Sequence, residues 1–472
     1  MKIKFGTSGW RGIIADDFTF ENVKLVTQSI ANYLKFKKLN KRSVIIGYDA
    51  RFLSEEFAKI SAGVLAANSI KTMITNRPTP TPTISYEIIK KKLAGGINFT
   101  ASHNPPEYNG LKFSPETGGP AMPEVTNYIE KECEKLLKNR KLVKYISFEE
   151  AEKKKLTRIY DPSKSYINKI EKLIDFDAIR KSKIRVIYDP MYGAGIGYME
   201  KLFEKYKVNY AVIHNWRDSY FGGNPPEPAE EYITEVIKRV KKKEFDIGLG
   251  TDGDADRFGI VDSDGTFISP NYVLSLLAIH LYTYKKFRGT IVRTLATTHM
   301  LDEIARCFNL PLKVTPVGFK YLGDIMTKEK VLICGEESGG LSIYGHIPEK
   351  DGILACLLML ELRCVTKKTF KQLLKEAYAK FGKFISKRVN VRINENLKEK
   401  IKKNVESFKP VKLCGKKVVE INKTDGTKFI LEDGSWLMVR FSGTEPVVRL
   451  YVEVKNEKEL NKYISAGKKL LR

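Results

Sequence analysis

The sequence predicts an α/β chain of three related units followed by a smaller α+β unit. Two observations carry this. Short apolar β-type runs alternate with longer helical patterns through most of the chain, which signals parallel strands joined by crossover helices. From about residue 383 the alternation stops, and aspartate–glycine turns separate strand-like runs instead.

The first unit contains "SVIIGYDAR", a helix over residues 54–68, "IKTMIT", a helix near residues 84–92, and "GGINFTAS". The second contains "IRVIYDP", a helix after Gly193, "NYAVIHNW", a helix over residues 232–243, and "FDIGLGTDGDADR". The third contains a helix near residues 272–284, "GTIVRTLAT", a helix over residues 301–308, "LKVTPVG", a helix after Phe319, and "KVLICGEESGG". Element order repeats; residue identity barely does. The stretch 130–155 is lysine-rich and reads as helical until "YDPSKSY" breaks it. Boundaries are therefore expected after 155, in the turn "VDSDGTFISP", and after "TFKQLLKEAYAKF", giving units 1–155, 156–264, 265–382 and 383–472. The last unit has hairpin turns at Asp425-Gly426 and Asp433-Gly434, then "WLMVRF", "VVRLYVEV" and a closing helix.

Composition narrows the function. With 472 residues, 42% hydrophobic and 29% charged, the chain reads as soluble and globular. The apolar runs 272–284 and 352–362 are too short to span a bilayer and read as core helices. The start "MKIKFGTSGWRGII" lacks the apolar stretch of a signal peptide. The six cysteines are dispersed without a C-x-x-C pair, so neither a disulfide framework nor a zinc site is indicated, and a cytoplasmic location is expected. The net charge of +26 comes from 82 Lys and Arg against 56 Asp and Glu. The lysines lie on helical stretches such as "KRVKKKEF", with no nucleic-acid motif beside them. They read as a solvated surface whose field favours a small anionic substrate. Neither nucleic acid nor a membrane is expected as a partner, and the chain is expected as a monomer or homodimer.

Each unit ends an apolar strand in a polar loop: "INFT" opens into "ASHNPP", "DIGLG" into "TDGDADR", and "VLIC" into "GEESGG". Ligands of open α/β sheets bind at the carboxyl ends of strands, so three such loops facing one another would share one cleft. Ser102 lies in "FTASHNPPEYNGLKF", where Pro105 and Pro106 forbid helix. G-x-S-x-G is absent, which argues against an acyl-transfer nucleophile. On this loop alone, Ser102 and Asn104 serve equally well as turn residues. In "GTDGDADRFG", Asp252, Asp254 and Asp256 alternate and share one face of an extended backbone. Three carboxylates so placed repel unless a cation lies among them, and oxygen-only ligands suit Mg²⁺. An EF-hand is excluded, since position six is Arg257 and position twelve is Ser263. "GIVDSDGTF" matches the D-x-D-G-T pattern of haloacid-dehalogenase-type phosphatases, with Asp262 as nucleophile, but reads more simply as a hairpin at Asp264-Gly265. "RFSGTEPVVR" brings two arginines, a serine and a threonine together in a phosphate-sized loop. "GEESGG" offers Glu336 and Ser338 to sugar hydroxyls.

Together these stretches resemble the α-D-phosphohexomutase superfamily. "TASHNPPEYNG" is similar to its phosphoserine loop, "GTDGDADR" to its metal loop, "GEESGG" to its sugar-recognition loop and "RFSGTEPVVR" to its phosphate-binding loop. "KFGTSGWRG" at the start also fits. The resemblance implies three related α/β/α domains with mixed sheets plus a smaller C-terminal α+β domain, around a central cleft. It implies a phosphorylated Ser102, and Mg²⁺ held by Asp252, Asp254, Asp256 and a phosphate oxygen on Ser102. Arg11, His103, Lys112 and Arg257 would line the reacting site. Glu336 and Ser338 would bind the sugar, with Lys320 nearby. Arg440, Ser442, Gly443, Thr444 and Arg449 would hold the non-reacting phosphate. The implied activity interconverts hexose 1-phosphate and hexose 6-phosphate through a hexose 1,6-bisphosphate, which also serves as activator. Glucose phosphate is the first expectation and mannose phosphate the second. The alternatives are a phosphatase using Asp262 and a phosphoglucosamine mutase of the same family.

Overall fold

The computed structural model describes residues 3–6, 9–441 and 447–471. Its first three sheets share one four-strand motif. In the first, Val44–Tyr48 pairs in parallel with Thr72–Thr75 and with Gly95–Phe99, and Tyr108–Pro115 returns antiparallel to Gly95–Phe99. In the second, Arg185–Asp189 pairs in parallel with Asn209–Val212 and Ile247–Thr251, and Phe258–Val261 returns. In the third, Thr290–Thr294 pairs in parallel with Leu312–Thr315 and Val331–Gly335, and Leu341–Ile343 returns. The fourth sheet is antiparallel throughout, in the order Ile385–Arg392, Val447–Val454, Trp436–Phe441, Thr427–Leu431, Lys416–Asn422, Lys412–Leu413. The architecture is therefore three α/β/α domains with mixed sheets and a C-terminal α+β domain.

The motif puts the polar loops in equivalent places. "TASHNPPE", "DGDADR" and "EESGG" each join the last parallel strand to its antiparallel return. Such a tight reversal at the carboxyl edge of a sheet needs special backbone. Ser102 (φ +53°) and Ala255 (φ +55°) adopt the left-handed region, which costs a residue with a Cβ of order 1 kcal/mol or more.

Two details differ from the sequence expectation. Thr157–Tyr160 is a strand pairing with Thr72–Thr75, so the first sheet reaches past residue 155. Residues 130–155 are not one helix. Pro123–Lys138 ends at Asn139 (φ −145°), and Phe148–Lys153 starts afresh from Ser147, whose side chain caps Glu150 N. The lysines that made the stretch look continuous are solvated on both pieces.

The second and third domains share one continuous core. Its centre is Gly352–Thr366, a helix buried on almost every side, as its run "GILACLLMLEL" requires. Among the described residues no helix is long and apolar enough to cross a membrane. Asp351 caps this helix by accepting from Leu354 N, and Tyr166 donates to Asp351 at 2.6 Å. The helix N-terminus lies directly against the aspartate loop: Gly352 N donates to Ala255 O at 3.0 Å. A Cβ on Gly352 would stand 2.1 Å from Arg257 O. Gly352→Ala is expected to force the helix off the aspartate loop and cost roughly 1–3 kcal/mol, as overpacking does. The measurement is a lowered thermal midpoint together with reduced activity; a wild-type midpoint would show that the contact relaxes freely.

Candidate active site

The carboxylates of Asp252, Asp254 and Asp256 are buried, with ligand oxygens all within 4.8 Å of one another. Their charges are met from three directions. Lys112, on the return strand of the first domain, donates to Asp254 Oδ2 at 2.5 Å and Asp256 Oδ2 at 2.8 Å. Lys350, just before the buried helix of the third domain, lies 3.1 Å from Asp256 Oδ2. Arg257 N donates to Asp252 Oδ1 at 3.0 Å. Thr81 Oγ1 also donates to Asp254 Oδ2.

Ser102 is buried and donates from Oγ to Asp252 Oδ2 at 2.6 Å. Its loop is held from beneath by Arg51, a fully buried residue. The Arg51 guanidinium donates to the carbonyls of Ser102, Asn104, Pro105 and Tyr108 at 2.5–2.9 Å and to Asp49 Oδ2 at 3.2 Å. On the far side, a Cβ on Gly253 would meet Ser102 O at 2.7 Å, so the serine and aspartate loops touch backbone to backbone. Arg11 reaches Asn104 Oδ1 at 2.5 Å, and His103 Nδ1 lies 3.5 Å from Ser102 Oγ.

The electrostatics follow from this packing. Burial raises Asp252 well above the usual carboxylate range, and Asp254 and Asp256 push it further. Asp256 is held far below that range, because Lys112, Lys350 and Arg257 outweigh the cost of its burial. Burial lowers the Lys112 ammonium, but Asp254 and Asp256 overcome this and keep it above the ordinary lysine value. Lys350 is raised in the same way by Asp256 and Glu349. Burial and the cations Arg257 and Arg11 push His103 well below its usual value, so its imidazole is neutral. Arg11 itself is lowered to about 10 by burial and Arg257.

The donor set fits a hard divalent cation. All candidate ligands are oxygens. Asp254 Oδ1 and Asp256 Oδ1 are buried without a hydrogen-bond partner, a costly state that an ion among the three carboxylates relieves.

The third domain brings in Glu336, whose Oε1 accepts from Gly318 N at 2.9 Å, and Ser338 beside it. The loop rests on the aspartate loop: a Cβ on Gly339 would lie 3.5 Å from Phe258 O. Lys320 is half-buried at the start of helix Phe319–Lys328. In the fourth domain, Arg440 and Arg449 sit directly opposite on adjacent strands. Ser442, Gly443 and Thr444 lie outside the described residues.

Asp262 stands apart from this cluster. Its carboxylate accepts from Ser263 N at 2.8 Å and Lys371 N at 2.9 Å in a hairpin turned at Gly265 (φ +82°), so it is a structural residue there.

Sequence reasoning missed Lys350 and Arg51. "PEKDG" carries no pattern of its own, and Lys350 becomes visible only when the helix after it is packed on the aspartate loop. Arg51 does leave a trace, since "YDAR" puts an Asp and an Arg just after a strand end.

Burial raises the Glu336 carboxyl to about 7, helped by Glu337. Its folded pKa lies above the unfolded one, so its contribution to stability is fully present below about 4.5 and is lost as pH rises through about 7. Glu336→Gln is therefore expected to flatten the fall in thermal midpoint between pH 5 and pH 8; an unchanged pH profile would count against this burial effect.

Comparison with known proteins gives a consistent result. The models of phosphoglucomutase/phosphomannomutase α/β/α domains I, II and III match residues 2–140, 164–265 and 269–381, and the C-terminal domain model matches residues 389–466. The chain is 31% identical to a phosphoglucomutase/phosphomannomutase from Thermococcus kodakarensis, covering 99% of this chain and 98% of that one. It is 30% identical to a protein of Methanosphaera stadtmanae assigned as a phosphoglucosamine mutase, over 97% and 95% of the two chains. A crystal structure from Thermus thermophilus, assigned as a phosphomannomutase, superposes with a TM-score of 0.85 at 30% identity, covering 100% and 99% of the chains. With the four domain models matched in order along almost its whole length, the chain belongs to the phosphoglucomutase/phosphomannomutase family of phosphohexomutases.

Proposed function

We propose that the chain interconverts hexose 1-phosphate and hexose 6-phosphate, glucose phosphate ahead of mannose phosphate, through a phosphoserine at Ser102. The observation that carries this is Ser102 Oγ, 2.6 Å from Asp252 in a buried cluster of three aspartates and three cations. An acyl-transfer nucleophile would need a base and an oxyanion cradle. A phosphoryl carrier needs positioning and charge neutralisation, which these neighbours supply.

In the first half-reaction the bond from phosphorus to Ser102 Oγ breaks and a bond to the sugar hydroxyl forms. The sugar now carries two phosphates. The hydroxyl proton leaves to a base, and the neutral His103 is the group in an accepting state. Lys112 and Lys350, both held protonated, balance the charge on the transferring phosphoryl, and the proton taken by His103, 3.5 Å from Ser102 Oγ, can pass to that oxygen. The bisphosphate then turns end over end, and Ser102 Oγ takes the other phosphate. Asp252, Asp254 and Asp256, with a phosphate oxygen on Ser102, would hold Mg²⁺, which when bound supplies a Lewis acid. Hexose 1,6-bisphosphate would also activate the enzyme by phosphorylating Ser102. Arg440 and Arg449, side by side on adjacent strands with Arg440 gripped at Nε by Asp425, would turn guanidinium donors to the distal phosphate. Glu336 and Ser338 would take sugar hydroxyls. Sugar phosphates are thus the proposed partners. An amino-sugar phosphate is the second reading, favoured by the identity to the M. stadtmanae chain.

Incubation with glucose 1,6-bisphosphate is expected to add one phosphate, which peptide mapping places on Ser102. Ser102→Ala is expected to abolish mutase activity; full activity in that variant, or the phosphate on Asp262, refutes the carrier role. Side-by-side assays of glucose, mannose and glucosamine 1-phosphates decide the sugar.

Chelation is expected to stop turnover and Mg²⁺ to restore it. Asp254→Asn, which keeps the shape and removes one charge, should lower kcat by roughly a hundredfold, the order seen when a charge-stabilising group is lost. Undiminished turnover of metal-stripped enzyme would overturn the metal assignment.

A further inference from the structure

Arg440 needs something to aim it. We infer that Asp425 is a positioning residue that orients Arg440 and ties it to the sugar-recognition loop of the third domain; this rests on the reading of Arg440 as a distal-phosphate ligand.

Asp425 lies between strands Lys416–Asn422 and Thr427–Leu431. Gly426 (φ +84°) lets the turn close against Arg440: a Cβ there would meet Val439 O at 2.5 Å and Arg440 Cα at 3.1 Å. Both Asp425 oxygens lie 3.0 Å from Arg440 Nε. Gripping the inner nitrogen fixes the plane of the guanidinium and turns its outer edge, with the two Nη groups, away from the aspartate. That edge is the part suited to a two-point contact with phosphate.

Asp425 Oδ2 also accepts from Val317 N, in the third domain, at 2.9 Å. The next amide, Gly318 N, donates to Glu336 Oε1 at 2.9 Å. Two successive backbone amides therefore bind two carboxylates: one at the sugar loop, the other on the phosphate-binding arginine. Lys320 follows two residues later, and the field of Asp425 partly offsets the lowering of its pKa by burial. Around this link the domains meet through Leu295, Ala296, Trp436, Met438 and Tyr451, with Val317 and Ile430 packed alongside. That apolar packing holds the domains together, and apolar packing by itself is non-directional. Asp425 adds direction, converting contact between domains into a set separation between Glu336 and Arg440.

The test compares Asp425→Asn, Arg440→Ala and the double variant. Asparagine keeps an acceptor for the Val317 amide and removes the negative charge that faces Arg440. Asp425→Asn is expected to raise KM for glucose 1-phosphate about tenfold, with kcat falling less, and to increase the glucose 1,6-bisphosphate released during turnover. Phosphorylation of Ser102 by added bisphosphate should remain possible at saturating concentration. In the Arg440→Ala background, Asp425→Asn should change nothing further, because coupled residues are not additive. Asp425→Asn with wild-type KM and bisphosphate release, beside an impaired Arg440→Ala, overturns the inference and leaves the Arg440 reading standing. Independent, multiplying effects overturn it too, as does a lowered thermal midpoint with unchanged KM. Wild-type kinetics in Arg440→Ala overturn both.

Discussion

The arrangement depends on three carboxylates buried together, of which Asp252 is pushed well above the usual carboxylate range by burial and by the other two. At an effective dielectric of about 20, carboxylates about 4–5 Å apart repel by about 3–4 kcal/mol per pair. With all three ionised, the three pairs would approach the net stability of a typical domain, which is why Asp252 is pushed toward its neutral form. The chain cannot keep Asp252, Asp254 and Asp256 buried without cations, and it collects them from different parts of itself. Lys112 comes from the first domain, Arg257 from the second and Lys350 from the third. Lys112 and Lys350 are buried as well and would be costly alone. The cluster therefore ties domains together: the aspartates of the second draw in Lys112 from the first and Lys350 from the third.

The repeated four-strand motif makes that tie possible. A tight return from a parallel to an antiparallel strand leaves a short loop at the carboxyl edge of the sheet. One such loop carries Ser102, the second the aspartates and the third Glu336. Three sheets with the same topology present three loops of the same kind, so bringing their edges together builds one site from one structural idea. Contacts where a Cβ would not fit, at Gly253 against Ser102 O and at Gly352 against Arg257 O, show how close the approach is. The left-handed backbone of Ser102 is the local cost of turning its hydroxyl toward Asp252.

Much of this was legible in the residues. The strand runs, the three polar loops and the alternating aspartates are local patterns, and the observed elements follow them. The helix predicted over residues 54–68 is Ser54–Ala67, and the expected strand "VVRLYVEV" is Val447–Val454. What was not legible is what depends on partners far along the chain. Lys350 lies 94 residues from Asp256 and acquires meaning only through the helix it precedes. Arg51 holds the serine loop through backbone carbonyls, which no side-chain pattern records. The strand Thr157–Tyr160 was hidden because "TRIY" is short and charged residues flank it, and pairing with Thr72–Thr75 decides its state.

The fourth domain obeys a different constraint. Among the described residues it adds no charge to the aspartate cluster, and it meets the third domain through Trp436, Met438 and Tyr451 with a few aimed polar links. Lys428 is one of them. Burial and Arg293 lower its pKa to about 7, and its ammonium donates to Leu295 O at 2.7 Å while lying 3.8 Å above the Trp436 ring. Glu453 is another, accepting from His299 N at 2.9 Å and Trp436 Nε1 at 2.8 Å. The apolar patch is small beside the core shared by the second and third domains. Separation here therefore exposes less apolar surface than separation there. On the proposed mechanism, a site that releases, turns and recaptures a bisphosphate needs one wall that is firm and one that gives. The charge cluster makes the first three domains the firm wall, and the modest interface leaves the fourth as the one able to open.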